Sequence, residues 1–246
     1  MPALILLGGA QQQDDAGNTV QGRPAQRHCL ALLALLALER AGLSRDKLIA
    51  YLWPTCATAT ARHRLSVAMH VIRHAFGDDA LVASGDAVAL GPRRWQVDVW
   101  RFHDLLAAGE LEGAAACYGG PLLDGFFLRD ARQFEGWLDG RRERLARRNV
   151  AVLESLAVEA EECGDWARAA ARRRELVASD RCDATYAVGL MRCLAASGHP
   201  VAAMRTARAY DVYVRADYGL EPDPAVAECI DALMLTRDSG REKRPS

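Results

Sequence analysis

Thr60–Phe76 reads TARHRLSVAMHVIRHAF, and its two faces decide how the rest of the chain is read. At 100° per residue, Leu65, Ala68, Met69, Ile72, Ala75 and Phe76 share one arc of a helix, the stripe expected to face a core. Arg62, His63, Ser66, His70, Arg73 and His74 share the opposite arc. The stretch holds three arginines, three histidines and no acid. Alone, it fits a basic recognition helix and an amphipathic helix with a solvated face equally well. Its neighbours separate the two.

Upstream, Ala3–Gly8 is a short apolar run ended by glycines and predicts a strand. The polar stretch Gln11–Asn18 predicts a turn, with Thr19–Gln21 returning as a second, antiparallel strand. Pro24 opens a helix running to Arg40, leucine-rich enough to be buried on nearly every side, and Gly42 closes it. Ser44 caps a second helix that Pro54 stops. Downstream, Leu81–Ala83 and Ala87–Leu90 flank Ser84-Gly85-Asp86 as a β-hairpin. Strands, three helices and a hairpin form the order of a winged helix-turn-helix, whose third helix enters the major groove and whose hairpin is the wing. That order favours DNA over a bland solvated face.

Composition narrows the class. The chain has 246 residues, half of them apolar and about a quarter charged, at a net charge of −1. This is ordinary for a globular protein and gives no overall nucleic-acid signal. Residues 1–98 carry ten Lys or Arg against eight Asp or Glu, and the remainder reverses the sign. Lys47 and Lys243 are the only lysines, so positive charge is almost all arginine, suited to bidentate phosphate and guanine contacts. The seven cysteines are scattered and form no C-x2-C pair, which suits a reducing compartment. With neither a signal peptide nor a membrane-length apolar run, the expected location is the cytoplasm.

From Asp98 the pattern is helical and repetitive. Gly164 and Gly198 sit in similar turns, EECGDWARAAA and AASGHPVAAMR, 34 residues apart. That period is the one of tetratricopeptide (TPR) helical hairpins, which bury a core by stacking on neighbours. A third such turn at Gly109 lies one period plus a 21-residue insertion upstream, and the insertion is placed at Tyr118–Gly140 as an elbow pinned by aromatics. The expected fold is mainly α. It divides into a winged helix-turn-helix over 1–96, a TPR-like domain over 97–236 and a disordered tail over 237–246.

Several motifs in order, YGGPLLDGFF (118–127), FEGWLDGRRERL (134–145) and YGLEPDPAV (218–226), resemble the bacterial transcriptional activator domain. In the Streptomyces antibiotic regulatory protein (SARP) family this domain follows an OmpR-type winged helix. LSRDKLIAYLWP (43–54) and ARHRLSVAMHVIRHAFGDDALV (61–82) are similar to that winged helix. The resemblance implies a promoter-binding activator that contacts double-stranded DNA and RNA polymerase and dimerises through its repeat domain. It also implies that the loop Trp53, Pro54, Thr55, Cys56, Ala57 and Thr58 touches the polymerase; a plain connector is an equal reading. The chain departs from the family at Val71, where a basic or polar residue is usual, and at His74, where arginine is usual.

The DNA surface expected from these readings comprises Arg45, Arg62, His63, Arg64, Ser66, Val67, His70, Arg73 and His74. Arg62, Arg64 and Arg45 are assigned to phosphates. Ser66 and Arg73, near the centre of the polar arc, are assigned to base edges, and Val67 and Val71, flanking it, to thymine methyls or to packing against the first helix. His70 and His74 have metal-ligand spacing but no cysteine or carboxylate beside them, so no metal is expected. Protonation of the histidines against phosphate would make DNA affinity rise as pH falls through about 6.5. The cluster Arg141, Arg142, Arg144, Arg147 and Arg148 reads as a salt-bridged face, with a second DNA contact as the alternative. No G-x-S-x-G, H-E-x-x-H or glycine-rich phosphate loop is present, so neither an enzyme nor a cofactor is expected. Against the activator stands an adaptor whose repeats bind protein and whose winged helix no longer binds DNA.

Overall fold

The structure, a computed structural model, describes the backbone of residues 1–241 and side chains through residue 235. The chain divides into two compact units, Met1–Asn149 and Val150–Ser246. Each is described by itself.

The first unit opens with β1 (Ala3–Ile5) and β2 (Gln11–Gln13), followed by α1 (Arg27–Leu38), β3 (Leu43–Ser44), α2 (Arg45–Leu52) and α3 (Thr58–Phe76). A short 3-10 turn leads into the hairpin β4 (Leu81–Ser84) and β5 (Ala87–Leu90), then β6 (Gln96–Val97), α4 (Asp98–Ala107), α5 (Leu111–Cys117) and the start of α6 (Arg132–Glu162). The expected winged helix is present: three helices, with β3, β5 and β4 as one antiparallel sheet.

Four local expectations need correction. The return strand is Gln11–Gln13, not Thr19–Gln21, and Thr19 makes a single bridge to Gln13. The chain reverses earlier, between Leu6 and Ala10, where Gly8 takes φ +88°; the Asp14 carboxylate, accepting the backbone N–H groups of Ala16 and Asn18 in an Asx turn, makes a second reversal after β2. The N-terminal sheet is mixed, because β6 joins β1 in parallel. Finally, α1 begins at Arg27 rather than Pro24, whose carbonyl accepts the Gln12 side-chain amide at 3.1 Å, and it ends at Leu38 rather than Arg40.

The all-round apolarity of α1 has the expected consequence: every residue from Cys29 to Ala37 is buried. Around it pack Leu4, Leu48, Leu65, Ile72, Phe102 and Phe134 in one continuous core. Trp95 closes the base of α3, its ring 4.7 Å from Phe76 and its indole N–H donating to Ala80 O at 2.9 Å.

Asp98 fastens β1 to the helices that follow. Its carboxylate accepts the N–H groups of Leu6 and Leu7 at 2.7 Å each and that of Val99 at 2.7 Å, in the first turn of α4. Burial pushes the Asp98 carboxyl up from its usual range, and these N–H groups pull against that. The insertion at 118–140 docks on the same strand: Leu123 N–H donates to Leu6 O at 2.7 Å and Gly8 N–H to Pro121 O at 3.0 Å. The backbones approach so closely that a Cβ on Gly8, which has φ +88°, would lie 2.6 Å from Gly119 O. The aromatic elbow is therefore a clamp, and Arg142 completes it by donating to the carbonyls of Leu122, Leu123 and Phe126.

The second unit holds the rest of α6, then α7 (Trp166–Ser179), α8 (Ala184–Ala196), α9 (Pro200–Tyr213), a π-helical turn and α10 (Pro224–Arg241). The two glycine turns match bond for bond: Gly164 N–H donates to Glu161 O and Asp165 N–H to Ala160 O, as Gly198 does to Ala195 and His199 to Leu194. These are Schellman closures, with the glycines at φ +71° and +83°. Gly109, in the first unit, repeats the pattern with Leu106 and Leu105. Ala169, Ala187, Leu190, Ala203 and Tyr210 form the stacked core. Glu161 ties α6 to α7 and α8, accepting from Arg173 Nε at 2.8 Å and from Cys193 Sγ at 3.2 Å; burial and this carboxylate push the Cys193 thiol up to about 11. α10 enters the stretch expected to be a disordered tail; 242–246 lie outside the described residues. Among the described residues, no helix is long and apolar enough to cross a membrane.

Replacing Asp98 by Ala strips two buried backbone donors of their acceptor and should cost about 2–5 kcal/mol in chemical denaturation. Asp98→Asn, which keeps one acceptor oxygen, should cost less. A loss under about 1 kcal/mol for Asp98→Ala would show that the carboxylate does not hold β1.

Candidate nucleic-acid interface

α2 and α3 build the candidate surface. Ser44 caps α2, its hydroxyl accepting Lys47 N–H at 3.3 Å, which fixes where that helix starts. α3 buries Ala61, Leu65, Ala68, Met69, Ile72 and Phe76. Ala75, expected in that stripe, is exposed instead, and Ala61 takes a place in it; a small residue at the rim of the arc can sit on either side.

The exposed side of α3 carries Arg62, His63, Arg64, Ser66, Val67, His70 and His74. The centre of this arc is not where the sequence reading put it. Arg73 is half-buried and donates to Leu81 O of the wing strand at 3.1 Å, so it lies at the edge and braces the wing. Ser66 Oγ donates back to Arg62 O at 3.0 Å, within its own helix. Val67 and the stacked rings of His70 and His74, centroids 6.3 Å apart, occupy the middle. Val71 is half-buried against the core, so it takes no charged role there.

Arg62 reaches back to Asp46 of α2 at 3.3 Å, both side chains well exposed. Asp46 carried no signal in the sequence, because the pairing joins residues on two helices with no fixed spacing between them. Arg64 Nη1 lies 3.1 Å from Cys56 Sγ, and Arg45 Nη1 lies 3.6 Å from Met69 Sδ. Arg45 is thus half-buried at the α2–α3 junction, with its backbone N–H on Asp86 O at 3.0 Å. The wing turn Gly85-Asp86 and both its strands contain no Lys or Arg.

The loop between α2 and α3 divides in two. Trp53 is buried and stacks on His28, centroids 5.1 Å apart, so it is a core residue and not a surface contact. Burial, with Arg64 adding to it, holds His28 below the usual histidine range, against a hydrogen bond to the Leu52 backbone. Pro54, Thr55, Ala57 and Thr58 are exposed, Cys56 is half-buried, and Thr58 is already the first residue of α3. Among the described residues, no three His, Cys, Asp or Glu side chains gather as a metal site would need.

Residues 97–234 match the bacterial transcriptional activator domain. The chain belongs to this family. With a winged helix ahead of that domain, it has the make-up of a SARP-type regulator. A solved structure of Mycobacterium tuberculosis EmbR, in complex with a low-affinity phosphopeptide, is similar at TM-score 0.63 and 21% identity. The match covers 96% of this chain and 65% of that one, so this chain spans just under two thirds of the EmbR chain. At that identity the likeness is one of fold. No curated protein matches the sequence.

The two arginines differ in what they hold. Arg62→Ala removes an exposed ion pair and should shift unfolding by less than about 0.5 kcal/mol. Arg73→Ala leaves the Leu81 carbonyl short of a donor and should cost about 1 kcal/mol. Equal losses in urea melts would mean that Arg62 is structural.

Proposed function

We propose that this regulator binds double-stranded promoter DNA by laying the exposed face of α3 in the major groove. The observation that carries the reading is the composition and place of that face. It is the third helix of a winged helix-turn-helix, it presents Arg62, His63, Arg64, Ser66, Val67, His70 and His74, and it holds no acid. Among the described residues, the one carboxylate paired with it, Asp46, is on α2 and exposed, so a DNA phosphate can replace it on Arg62 at little cost. Val67, central and exposed, is placed to meet a thymine methyl. Arg45 and Arg73, being half-buried, act mainly by holding α3 and the wing in position.

The family supports a finer assignment. The domain boundary falls near 96/97, the exposed loop residues Pro54, Thr55, Ala57 and Thr58 face RNA polymerase, and the helical repeats mediate homodimerisation, so the protein is an activator. A second reading, a protein-interaction adaptor, rests on the wing, which offers no cation to a flanking phosphate.

Titration of genomic fragments against the full chain across salt separates the two. A specific binder retains a subset of fragments with a steep salt slope, and Arg62→Ala/Arg64→Ala lowers that slope by about 2. Retention of no fragment even at low salt would leave the adaptor. The same titration at pH 8 and pH 6 tests the histidines, since binding that is flat across this range removes them from the interface.

A further inference from the structure

Away from the α3 face, the first unit contains a basic cleft of about 270 Å³ between the end of α1, α4 and the first half of α6. Ala37, Leu38, Val99 and Leu145 form its apolar floor, and Arg40, Arg141, Arg144 and Arg148 its walls, with Trp100 and His103. The tryptophan is fixed: its indole N–H donates to Ala37 O at 2.6 Å, and the Arg40 guanidinium lies 4.7 Å from its ring centroid.

The charges in the cleft do not balance. Arg141 pairs with Glu39, and Arg40 reaches Asp104 at 3.8 Å. Arg144 makes no ion pair or hydrogen bond among the described residues, and Arg148 contacts His103 Nδ1 at 3.1 Å. A guanidinium only donates, so Nδ1 accepts and the ring proton sits on Nε2. That Nε2 is buried without an acceptor. Burial and the charges of Arg148, Arg40 and Arg141, opposed by Asp104, hold the imidazole below the usual histidine range. The cleft therefore gathers two uncompensated guanidiniums and an unsatisfied buried donor over an apolar floor.

We propose that this cleft binds a small organic phosphate, a phosphomonoester on a compact apolar body. A phosphomonoester carries about −1.5 to −2 charge at neutral pH, which matches the surplus of Arg144 and Arg148, whereas a single carboxylate leaves one cation unmatched. Guanidiniums meet phosphate oxygens in bidentate fashion, and the apolar floor takes the organic group. The volume, just under the about 300–1,000 Å³ of ordinary ligand pockets, admits a small molecule rather than a folded partner. The site is separate from α3 and its occupation does not require that the chain bind DNA.

Calorimetric titration of the full chain with phenyl phosphate at low salt tests this, with phenol, benzoate and a random-sequence DNA duplex as comparisons. Phenyl phosphate should bind saturably, with phenol and benzoate at least about tenfold weaker. Arg144→Gln, at an exposed position without partners, should weaken phenyl phosphate about tenfold or more without affecting folding, checked by circular dichroism. Arg147→Gln, on the same helix but outside the cleft, should leave binding unchanged. Equal binding of phenol or benzoate, or unaltered binding to Arg144→Gln, would overturn the proposal. Displacement of phenyl phosphate by the duplex would also overturn it, by assigning the arginines to a nucleic-acid backbone.

Discussion

The first unit depends on how β1 is held at both sides. A three-residue strand has too few ladder bonds to be stable alone, and its apolar residues would not choose a register by themselves. Asp98 supplies the missing constraint by accepting the N–H groups of Leu6 and Leu7, where the strand ends, while starting α4 on Val99. The insertion then takes the Leu6 carbonyl and the Gly8 N–H. The same short peptide thus joins the sheet that precedes the winged helix to the helices that follow it. A lone carboxylate in this place would be costly to bury, and three backbone donors offset that cost.

What was legible in the sequence was local. The three glycine turns share a closure that lies wholly within a few residues and needs a positive φ, so Gly109, Gly164 and Gly198 announced themselves at the right spacing. Burial of α1 followed from its leucines alone. The misread pieces depend on distant partners or on polar residues. Gln12 is almost fully buried in a strand of glutamines because its amide reaches Pro24, and no hydrophobic pattern marks such a strand. β6 is two residues long and exists because β1 lies beside it. On α3 the helix and its core stripe were legible. The centre of its exposed face was not, because Arg73 turns to a wing carbonyl that only the tertiary fold brings near.

That turn bears on how an overall charge near zero should be weighed. Several arginines are bound to backbone carbonyls: Arg73 to Leu81, Arg94 to Phe76, and Arg142 to Leu122, Leu123 and Phe126. Withdrawing such a guanidinium leaves a carbonyl short of its donor, a cost of about 1–3 kcal/mol where the carbonyl is buried. An exposed carboxylate partner, as Asp46 is for Arg62, is exchanged with little change in free energy. The number of arginines therefore overstates the cations available to a ligand. Cations that can be recruited end at an exposed acid, as Arg62 does on α3, at no acceptor, as Arg144 does in the basic cleft among the described residues, or at a neutral imidazole nitrogen, as Arg148 does there. A polyanion meeting α3 finds few fixed charges, so recognition there must draw on the shape of the face and on Val67, His63, His70 and His74 rather than on a broad positive field.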